Sequence, residues 1–238
     1  MSVQVQLSYS KIKAIEFCPW KYKLIYIDGL YSAPTPQSSF GHSVHKTLEL
    51  YFKETVKTFE KLIDCYNLAW KNEGFTTPIV AQEYYERGEK LLLTFWNEEA
   101  KLASQSVFAE KNFSFSLGDI EVVGIIDRVD KHNDESYELI EYKTHYKRLT
   151  DEQIKNDFQL LFYKFGCKNA FGFDPNRLTY YFLSENVKMN FDFSSYQEDF
   201  IVNKITLAAK IIGSQDFFTC TQNCGFCEYR KLCKKSVL

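Results

Sequence analysis

The segments Gly124-Ile-Ile-Asp-Arg-Val-Asp130 and Glu138-Leu-Ile-Glu-Tyr-Lys-Thr144 carry the strongest pattern in this chain and decide its fold. Each belongs to a run in which apolar residues alternate with polar ones, a pattern typical of β-strands. The polar residues 132–136 between them predict a five-residue hairpin loop. In a hairpin with this loop, Asp127 lies directly opposite Glu141.

Asp127 and Glu141 share an otherwise apolar face of this hairpin, with Cβ atoms about 4.5–5.5 Å apart. Lys143 points to the same face. Because two such carboxylates repel each other and lose hydration, we expect a positive group between them. Mg²⁺ binds carboxylates together with phosphate oxygens, and an ammonium group can stabilise the developing charge. The pattern therefore predicts phosphodiester hydrolysis; the alternative is a surface hairpin whose acids are neutralised by Lys143 and Arg128.

The rest of the chain alternates between helical and extended segments, without internal repeats or low-complexity tracts. Helices are predicted at residues 8–29, with a break at Cys18-Pro19, and at 41–60, 79–104, 151–171 and 195–212; strands are predicted at 107–117, 120–131, 137–143, 178–183 and 187–193. This order favours an α/β fold with a mixed central sheet flanked by helices over a regular doubly wound fold.

The composition fits a protein with a large core. The chain has 238 residues, of which 45% are hydrophobic and 17% aromatic, which suits a single domain. The net charge of −2 excludes a histone-like protein that neutralises phosphates by overall charge. The sequence has no apolar signal segment and no run of about 18 apolar residues. We therefore expect no membrane span and a soluble, cytoplasmic protein.

Cysteines near both ends of the chain predict a metal centre. Cys224, Cys227 and Cys233 form a C-x₂-C-x₅-C pattern, and Cys18 lies near the start. This spacing, and an odd total of seven cysteines, favour metal binding in a reducing compartment over disulfides. Spacing alone does not separate zinc from iron–sulfur. Cys220 adds the C-x₃-C-x₂-C spacing of radical-SAM enzymes, but those carry it early in a barrel. Cys220 is therefore interpreted as a spare thiol or as a residue that packs beside the ligands.

The hairpin pattern, G-x-x-D-R-(apolar)-D followed by E-Y-K-T, resembles two motifs of RecB-like nucleases in the PD-(D/E)XK superfamily. Three further stretches resemble motifs of this family in the same order: Leu7-Ser-Tyr-Ser10 with Phe17-Cys-Pro19 and Tyr22, Gly41-His-Ser-Val-His45 with Leu48-Glu49, and Asp157-Phe-Gln-Leu160 with Tyr163. The resemblance runs from residue 7 to residue 233 and implies a restriction-endonuclease-like core. One departure is His145, which stands where many relatives have glycine.

By this resemblance, the active site binds Mg²⁺ or Mn²⁺. Gln159 and Tyr163 lie one helical turn apart and are implied to position DNA or the catalytic lysine. His42 is a neighbouring candidate ligand, but its position relative to the following motif favours His45. The implied metal ligands are His45, Asp127, Glu141 and the backbone carbonyl of Tyr142, and the implied catalytic residues are Lys143, Asp127 and Glu141.

The cysteine pattern resembles the 4Fe–4S arrangement of the AddB nuclease domain and of the CRISPR-associated nuclease of spacer acquisition. It implies that Cys18, Cys224, Cys227 and Cys233 bind a 4Fe–4S cluster. A single nuclease domain, residues 1–238, then consists of a nuclease core at 36–213 and a cluster-binding region formed by 1–35 and 214–238. The cluster would bring basic residues of both ends together as a DNA path: Lys11, Lys13, Lys21, Lys23, Arg230, Lys231, Lys234 and Lys235, with Lys147 and Arg148 beyond the active site.

Together these features predict a metal-dependent deoxyribonuclease, an exonuclease acting on single-stranded DNA or DNA ends. The resemblance suggests DNA repair or recombination, CRISPR spacer acquisition or antiviral defence, with a helicase or CRISPR adaptation proteins as partners. The sequence contains no G-x-x-x-x-G-K-[ST] loop, so we expect a nuclease that acts alone or with the motor of another protein. The alternatives are a non-catalytic nucleic-acid-binding subunit and an interaction module held together by zinc.

Overall fold

The structure is a computed structural model, which describes residues 5–99, 105–144, 150, 152, 157–193 and 197–236. Across these residues, no helix combines the length and the apolar character needed to cross a membrane.

Within the described residues, six strands form one mixed sheet. β2 is antiparallel to β3, β3 to β4, and β5 to β6, whereas β1 is parallel to β3 and β4 is parallel to β5. The strands are β1 (Val5–Leu7), β2 (Gln105–Leu117), β3 (Ile120–Lys131), β4 (Tyr137–Lys143), β5 (Arg177–Phe182) and β6 (Val187–Asn190). The predicted mixed sheet flanked by helices is confirmed.

Helices cover both faces of this sheet. They are α1 (Tyr9–Phe17), α2 (Pro19–Tyr22), α3 (Pro36–Lys53), α4 (Phe59–Ala69), α5 (Pro78–Glu99), α6 (Gln159–Gly166) and α7 (Glu198–Ser214). Short π-helical turns at Lys23–Ile27 and Cys167–Phe171 follow α2 and α6, and a 3₁₀ turn spans Thr221–Phe226.

The two faces of the sheet carry separate hydrophobic cores. Buried residues of α1, α6 and α7 pack with β2 and β3 in one core, and those of α3, α4 and α5 pack with β4 and β5 in the other. Leu139 and Ile140 are neighbours in β4 and belong to opposite cores, as the alternation of a strand requires.

The two edges of β3 are paired differently. β2 pairs with β3 over nearly its whole length, from Ile120 to Lys131. On the opposite edge, β1 pairs with residues 120–122 and β4 with residues 128–131. Among the described residues, no strand pairs with residues 123–127 on that edge, so the sheet opens there between β1 and β4.

α3 differs from its predicted bounds at both ends. It begins at Pro36 instead of residue 41, because Thr35 and Ser38 cap its start: the Thr35 hydroxyl accepts from the Ser38 N–H, and the Ser38 hydroxyl accepts from the Thr35 N–H. Pro36 fits the first helical position, which needs no N–H donor. At the other end, Thr58 caps the separate helix α4. The predicted single helix at 41–60 is therefore wrong.

Other predicted elements agree more closely. Ser8 caps α1 by accepting from the Lys11 N–H, and Cys18 ends this helix, so the predicted break before Pro19 is confirmed. α5 is described as far as Glu99, and its predicted end at residue 104 lies outside the described residues. β6 ends at Asn190 instead of residue 193. The predicted helix at 151–171 lies partly outside the described residues.

Candidate active site

The β3–β4 hairpin has the predicted register. The paired residues run as far as Arg128 and Ile140, so the next position along each strand brings Asp127 opposite Glu141. The ladder of pairs ends before this position, and Asp127 Oδ2 instead accepts a hydrogen bond of 2.8 Å from the N–H of Tyr142. Asp127 is 7% exposed and Glu141 is 5% exposed. The hairpin thus buries two carboxylates where its strands separate.

Asp127 and two other side chains bring metal-binding atoms together. His45 on α3 places Nδ1 3.4 Å from Asp127 Oδ1 and 3.4 Å from Glu110 Oε1. Potential ligand atoms of the three residues all lie within 4.8 Å of one another. The structure therefore brings two of the sequence-predicted ligands, His45 and Asp127, together with a third residue that the sequence analysis did not select.

Glu110 is the candidate ligand that sequence reasoning missed. It lies in β2, and its neighbours on both sides pair with the neighbours of Asp127. Its φ of 46° is left-handed, which is uncommon for a residue with a side chain. No motif marks Ala109-Glu110-Lys111 in the sequence. The signal that could have found it is the β2–β3 hairpin register around Gly118-Asp119.

Lys143 is held by a second group of predicted residues. Its ammonium group donates to Glu141 Oε1 at 3.0 Å and to Gln159 Oε1 at 2.6 Å. The Gln159 amide donates to Glu141 Oε1 at 2.7 Å and to the Tyr163 hydroxyl at 3.3 Å. Four sequence-predicted residues thus form one hydrogen-bonded network, and the Gln159–Tyr163 helical turn lies beside the lysine.

The charges of the site are strongly coupled. Burial raises the pKa of Glu141 to about 8, and the charge of Asp127 adds to this effect. Burial also raises the pKa of Glu110. Burial opposes ionisation of His45, but the carboxylates of Asp127 and Glu110 outweigh it and hold the pKa of His45 well above its usual value. Without a cation, protons on these groups compensate the crowded negative charge.

The donor set fits a divalent cation. Carboxylate oxygens are preferred ligands of Mg²⁺ and Mn²⁺, and imidazole is compatible with first-row transition ions. Glu141 Oε2 is buried and has no hydrogen-bond partner among the described residues, which leaves it available as a ligand. The residues that could hold the ion are therefore His45, Glu110 and Asp127, with Glu141 beside them.

Tyr142 and Arg128 have contacts that the sequence did not predict. The N–H of Tyr142 binds Asp127, and its buried ring packs edge-on against His45 with centroids 6.1 Å apart. Arg128 binds Asp130 at 2.5 and 2.6 Å and Glu99 at 2.5 Å. Arg128 therefore neutralises Asp130 and Glu99. The alternative interpretation, in which Arg128 neutralises Asp127 and Glu141, is wrong for Arg128.

The cysteines from the two ends of the chain line one pocket. The N–H of Cys220 points to Cys18 Sγ at 3.4 Å, and the N–H of Trp20 donates to the carbonyl of Phe218 at 3.1 Å. Among the described residues, no three cysteine sulfurs lie within 4.8 Å of one another. The pocket is lined by the four predicted ligands, Cys18, Cys224, Cys227 and Cys233. Cys220 also lines it.

The remaining predicted residues are His145 and the basic residues of the predicted DNA path. His145, Lys147 and Arg148 lie outside the described residues. In the predicted basic path, Lys21 pairs with Glu228 and Lys23 with Asp28, whereas Arg230 and Lys235 line the cysteine pocket.

Comparison with known proteins identifies a family and finds distant similarity to solved structures. The sequence matches the PD-(D/E)XK nuclease superfamily over residues 6–234. Among solved structures, one titled "Crystal structure of SSO0001" is similar, with 11% sequence identity, a TM-score of 0.42, and coverage of 100% of this chain and 90% of that chain. A search of curated proteins found no match.

Proposed function

The chain belongs to the PD-(D/E)XK nuclease superfamily, and we propose that it is a deoxyribonuclease that cuts phosphodiester bonds with a cation bound by His45, Glu110 and Asp127. Members of this superfamily are metal-dependent nucleases that cleave phosphodiester bonds. The observation that carries the proposal is the meeting of three potential ligands within 4.8 Å of one another, beside a lysine held by Glu141 and Gln159.

Each part of the site has a chemical task in this proposal. When bound, the cation polarises the scissile phosphate and lowers the pKa of a bound water molecule. Lys143 stabilises the negative charge that develops on the phosphate and orients the attacking water. Gln159 and Glu141 fix the lysine by accepting two hydrogen bonds of 2.6 and 3.0 Å. The N–H of Tyr142 fixes Asp127. By the resemblance, the Tyr142 carbonyl and Glu141 would be further ligands of the cation.

We further propose that the ion is Mg²⁺ or Mn²⁺ and that the enzyme is an exonuclease for single-stranded DNA or DNA ends. The resemblance to RecB-like nucleases supports this finer assignment. From the same resemblance we propose a role in repair, recombination or CRISPR spacer acquisition, with a helicase or CRISPR adaptation proteins as partners. The odd number of cysteines and their metal-ligand spacing favour a reducing compartment such as the cytoplasm.

The cysteine pocket is proposed to hold a 4Fe–4S cluster in a single domain of residues 1–238. The four cysteines line one pocket, and their spacing resembles that of 4Fe–4S nucleases. Both observations support Cys18, Cys224, Cys227 and Cys233 as the ligands.

The test compares the wild type with Lys143→Ala on end-labelled single-stranded and double-stranded DNA, with Mn²⁺ or EDTA. We expect degradation that requires the metal, and a rate at least ~100-fold lower in Lys143→Ala, the scale of losing one charge-stabilising group. Lys210→Ala, at an exposed position of α7, is the matched control and should cleave like the wild type. Equal cleavage by Lys143→Ala and wild type would refute the assignment.

A further inference from the structure

Tyr180 is a buried tyrosine of β5 that lies beside the candidate active site. Its backbone pairs with that of Glu141 in the parallel neighbour β4. Because side chains alternate along a strand, Lys143 lies on the same face of the sheet as Glu141 and Tyr180. The Lys143 Nζ is 5.2 Å from the centre of the Tyr180 ring, within the distance of about 6 Å at which an aromatic face attracts a cation.

The ring gives Lys143 a contact of a different kind from its two hydrogen bonds. Glu141 Oε1 and Gln159 Oε1 each accept from the ammonium group, at 3.0 and 2.6 Å. An ammonium group has three N–H donors, so these acceptors use two of them. An aromatic face attracts the positive charge as a whole. The ring therefore stabilises the position of the ammonium group while an N–H is left to donate to a phosphate oxygen.

Burial strengthens this attraction. Tyr180 is 0% exposed, and the side chain of Lys143 is 12% exposed. Water therefore has little access to the space between the ring and the ammonium group. A contact between a cation and an aromatic ring is strongest when both groups are removed from water in this way.

The contact belongs to the ring of Tyr180 and not to its hydroxyl. The hydroxyl is buried and has no hydrogen-bond partner among the described residues, so it donates to none of Glu141, Gln159 and the other described groups of the site. Phenylalanine has the same ring without the hydroxyl. It should therefore replace tyrosine here without loss of the contact to Lys143.

We propose that Tyr180 is a positioning residue for Lys143, with its aromatic face holding the ammonium group beside Glu141 and Gln159. This proposal rests on the proposed nuclease function and adds a residue to the site that no motif marked. The competing role is packing alone, since Tyr180 also belongs to the hydrophobic core on this face of the sheet.

The test changes the charge on the face of the ring and keeps its shape. Tyr180→Phe is compared with full-length chains that carry phenylalanine with one, two or three fluorine atoms at residue 180. Fluorine withdraws electrons from the face of the ring, which weakens its attraction for a cation, and adds little volume. Cleavage of end-labelled single-stranded DNA with Mn²⁺, over a range of DNA concentrations, gives kcat and KM separately.

We expect Tyr180→Phe to have the kcat of the wild type. With each added fluorine kcat should fall, to about tenfold below the wild type with three, the scale of one desolvated contact between a cation and a ring. KM should stay unchanged, because Tyr180 is buried and acts on the chemical step through Lys143. In the Lys143→Ala background the fluorine atoms should have no effect, since the two positions are then uncoupled.

A matched pair of truncations separates positioning from packing. Tyr180→Leu and Tyr66→Leu each remove the ring of a tyrosine that is 0% exposed, but Tyr66 lies in the core on the other face of the sheet. Both variants should lose stability in urea denaturation. Only Tyr180→Leu should lower kcat. An equal loss of kcat in both variants would reduce Tyr180 to a packing residue.

The contact can also be measured without cleavage, because the ring current of Tyr180 shifts the NMR signals of nearby protons. The ε-methylene protons of Lys143, assigned by their loss in Lys143→Ala, should resonate upfield of those of other lysines in the wild type and in Tyr180→Phe. This shift should be lost in Tyr180→Leu.

A kcat that does not depend on fluorination, or the same dependence in the Lys143→Ala background, would overturn the proposal. An unshifted Lys143 signal in the wild type would overturn it as well, whether or not DNA is cut. Failure of the nuclease assignment would look different, since Lys143→Ala would then cleave like the wild type.

Discussion

Glu110 combines an unusual backbone conformation with a place in the candidate metal site. Its φ is 46° in the middle of β2, whereas the other non-glycine residues with positive φ among the described residues, Glu135, Asn186 and Gln215, lie in turns, bends or at a helix end. A left-handed conformation costs about 1–2 kcal/mol for a residue with a Cβ. Strain of this kind persists where the surroundings fix the residue, often at functional sites.

The strain at Glu110 predicts an inverted order of stability for two substitutions. We expect Glu110→Gly to be more stable than Glu110→Ala by about 1 kcal/mol, because only glycine adopts this φ without strain. At Ser116, an exposed position of the same strand, alanine should be the more stable of the two. Urea denaturation with EDTA measures both pairs; the usual order at residue 110 would contradict the proposed strain.

The raised pKa of Glu141 predicts how stability depends on pH without metal. Its pKa rises from 4.5 to about 8 on folding. Between these values the unfolded chain has lost the proton that the folded chain keeps, so the free energy of unfolding falls as pH rises, by at most about 1.4 kcal/mol per pH unit.

Glu141→Gln removes this titration. Relative to the wild type, the variant should therefore gain stability from about pH 5 to about pH 8, as measured by urea denaturation with EDTA at several pH values. A difference that stays constant over this range would mean that Glu141 does not keep its proton in the folded protein.

The sequence predicted the residues around Asp127 and Lys143 better than it predicted the whole site. The five-residue loop and strict alternation determined the hairpin register, and the register placed Asp127 and Glu141 together. Glu110 could not be selected in this way, because its role depends on the left-handed backbone conformation at this position of β2, which no residue type in the sequence predicts. His45 was selected only through the resemblance, since a lone histidine on a helix has no distinguishing spacing.

At the level of elements, Phe113 joins the sheet to α6. A Cβ on Gly124 of β3 would lie 2.5 Å from Phe113 Cε1, and a Cβ on Gly166 at the end of α6 would lie 2.6 Å from Phe113 Cζ. Both glycines therefore make room for one aromatic ring. This contact sets how closely α6, which begins with Gln159, approaches the strands that carry Glu110 and Asp127.

We expect Gly124→Ala to destabilise the protein by about 1–3 kcal/mol, the usual effect of overpacking. Replacing the ring by the smaller leucine side chain in Gly124→Ala/Phe113→Leu should recover part of this loss. A double-mutant cycle of urea denaturation measures the coupling free energy between the two positions. Gly213→Ala in α7 is the control, because no atom lies within 4 Å of its added Cβ. If the two glycine variants are equally stable, Phe113 does not hold these elements together.

Local sequence predicted elements with strong patterns and missed those that depend on tertiary contacts. β3 and β4 have the predicted bounds, because their alternation is long and their ends are marked by turns. β1 has three residues and exists through its parallel pairing with β3. α4 was not predicted, because the break between α3 and α4 contains neither glycine nor proline and is set by capping at Thr58.

At the scale of the whole molecule, the two ends of the chain meet at the cysteine pocket. Cys18 follows α1, whose Tyr9 hydroxyl donates to Asp157 Oδ1 at 2.6 Å. Asp157 Oδ1 also accepts from the N–H of Gln159 at 3.1 Å. α1 therefore connects the cysteine pocket to the helix that holds Lys143.

Cys18→Ser should lose the proposed cluster and reduce thermal stability, because the ends of the chain would no longer be joined. The measurements are iron and sulfide content after anaerobic purification, absorbance at about 400 nm, and the melting temperature. Cys65→Ala, at a buried cysteine outside the pocket, should keep the iron. Zinc in place of iron in the wild type, or full iron content in Cys18→Ser, would contradict this assignment.

The central claim is that His45, Glu110 and Asp127 bind one divalent cation. Mn²⁺ titration followed by the electron paramagnetic resonance signal of the free ion tests it without requiring cleavage. We predict one saturable site in the wild type and an affinity lower by at least ~10-fold in Asp127→Asn and in Glu110→Gln. Wild-type affinity for Mn²⁺ in both variants would contradict the claim.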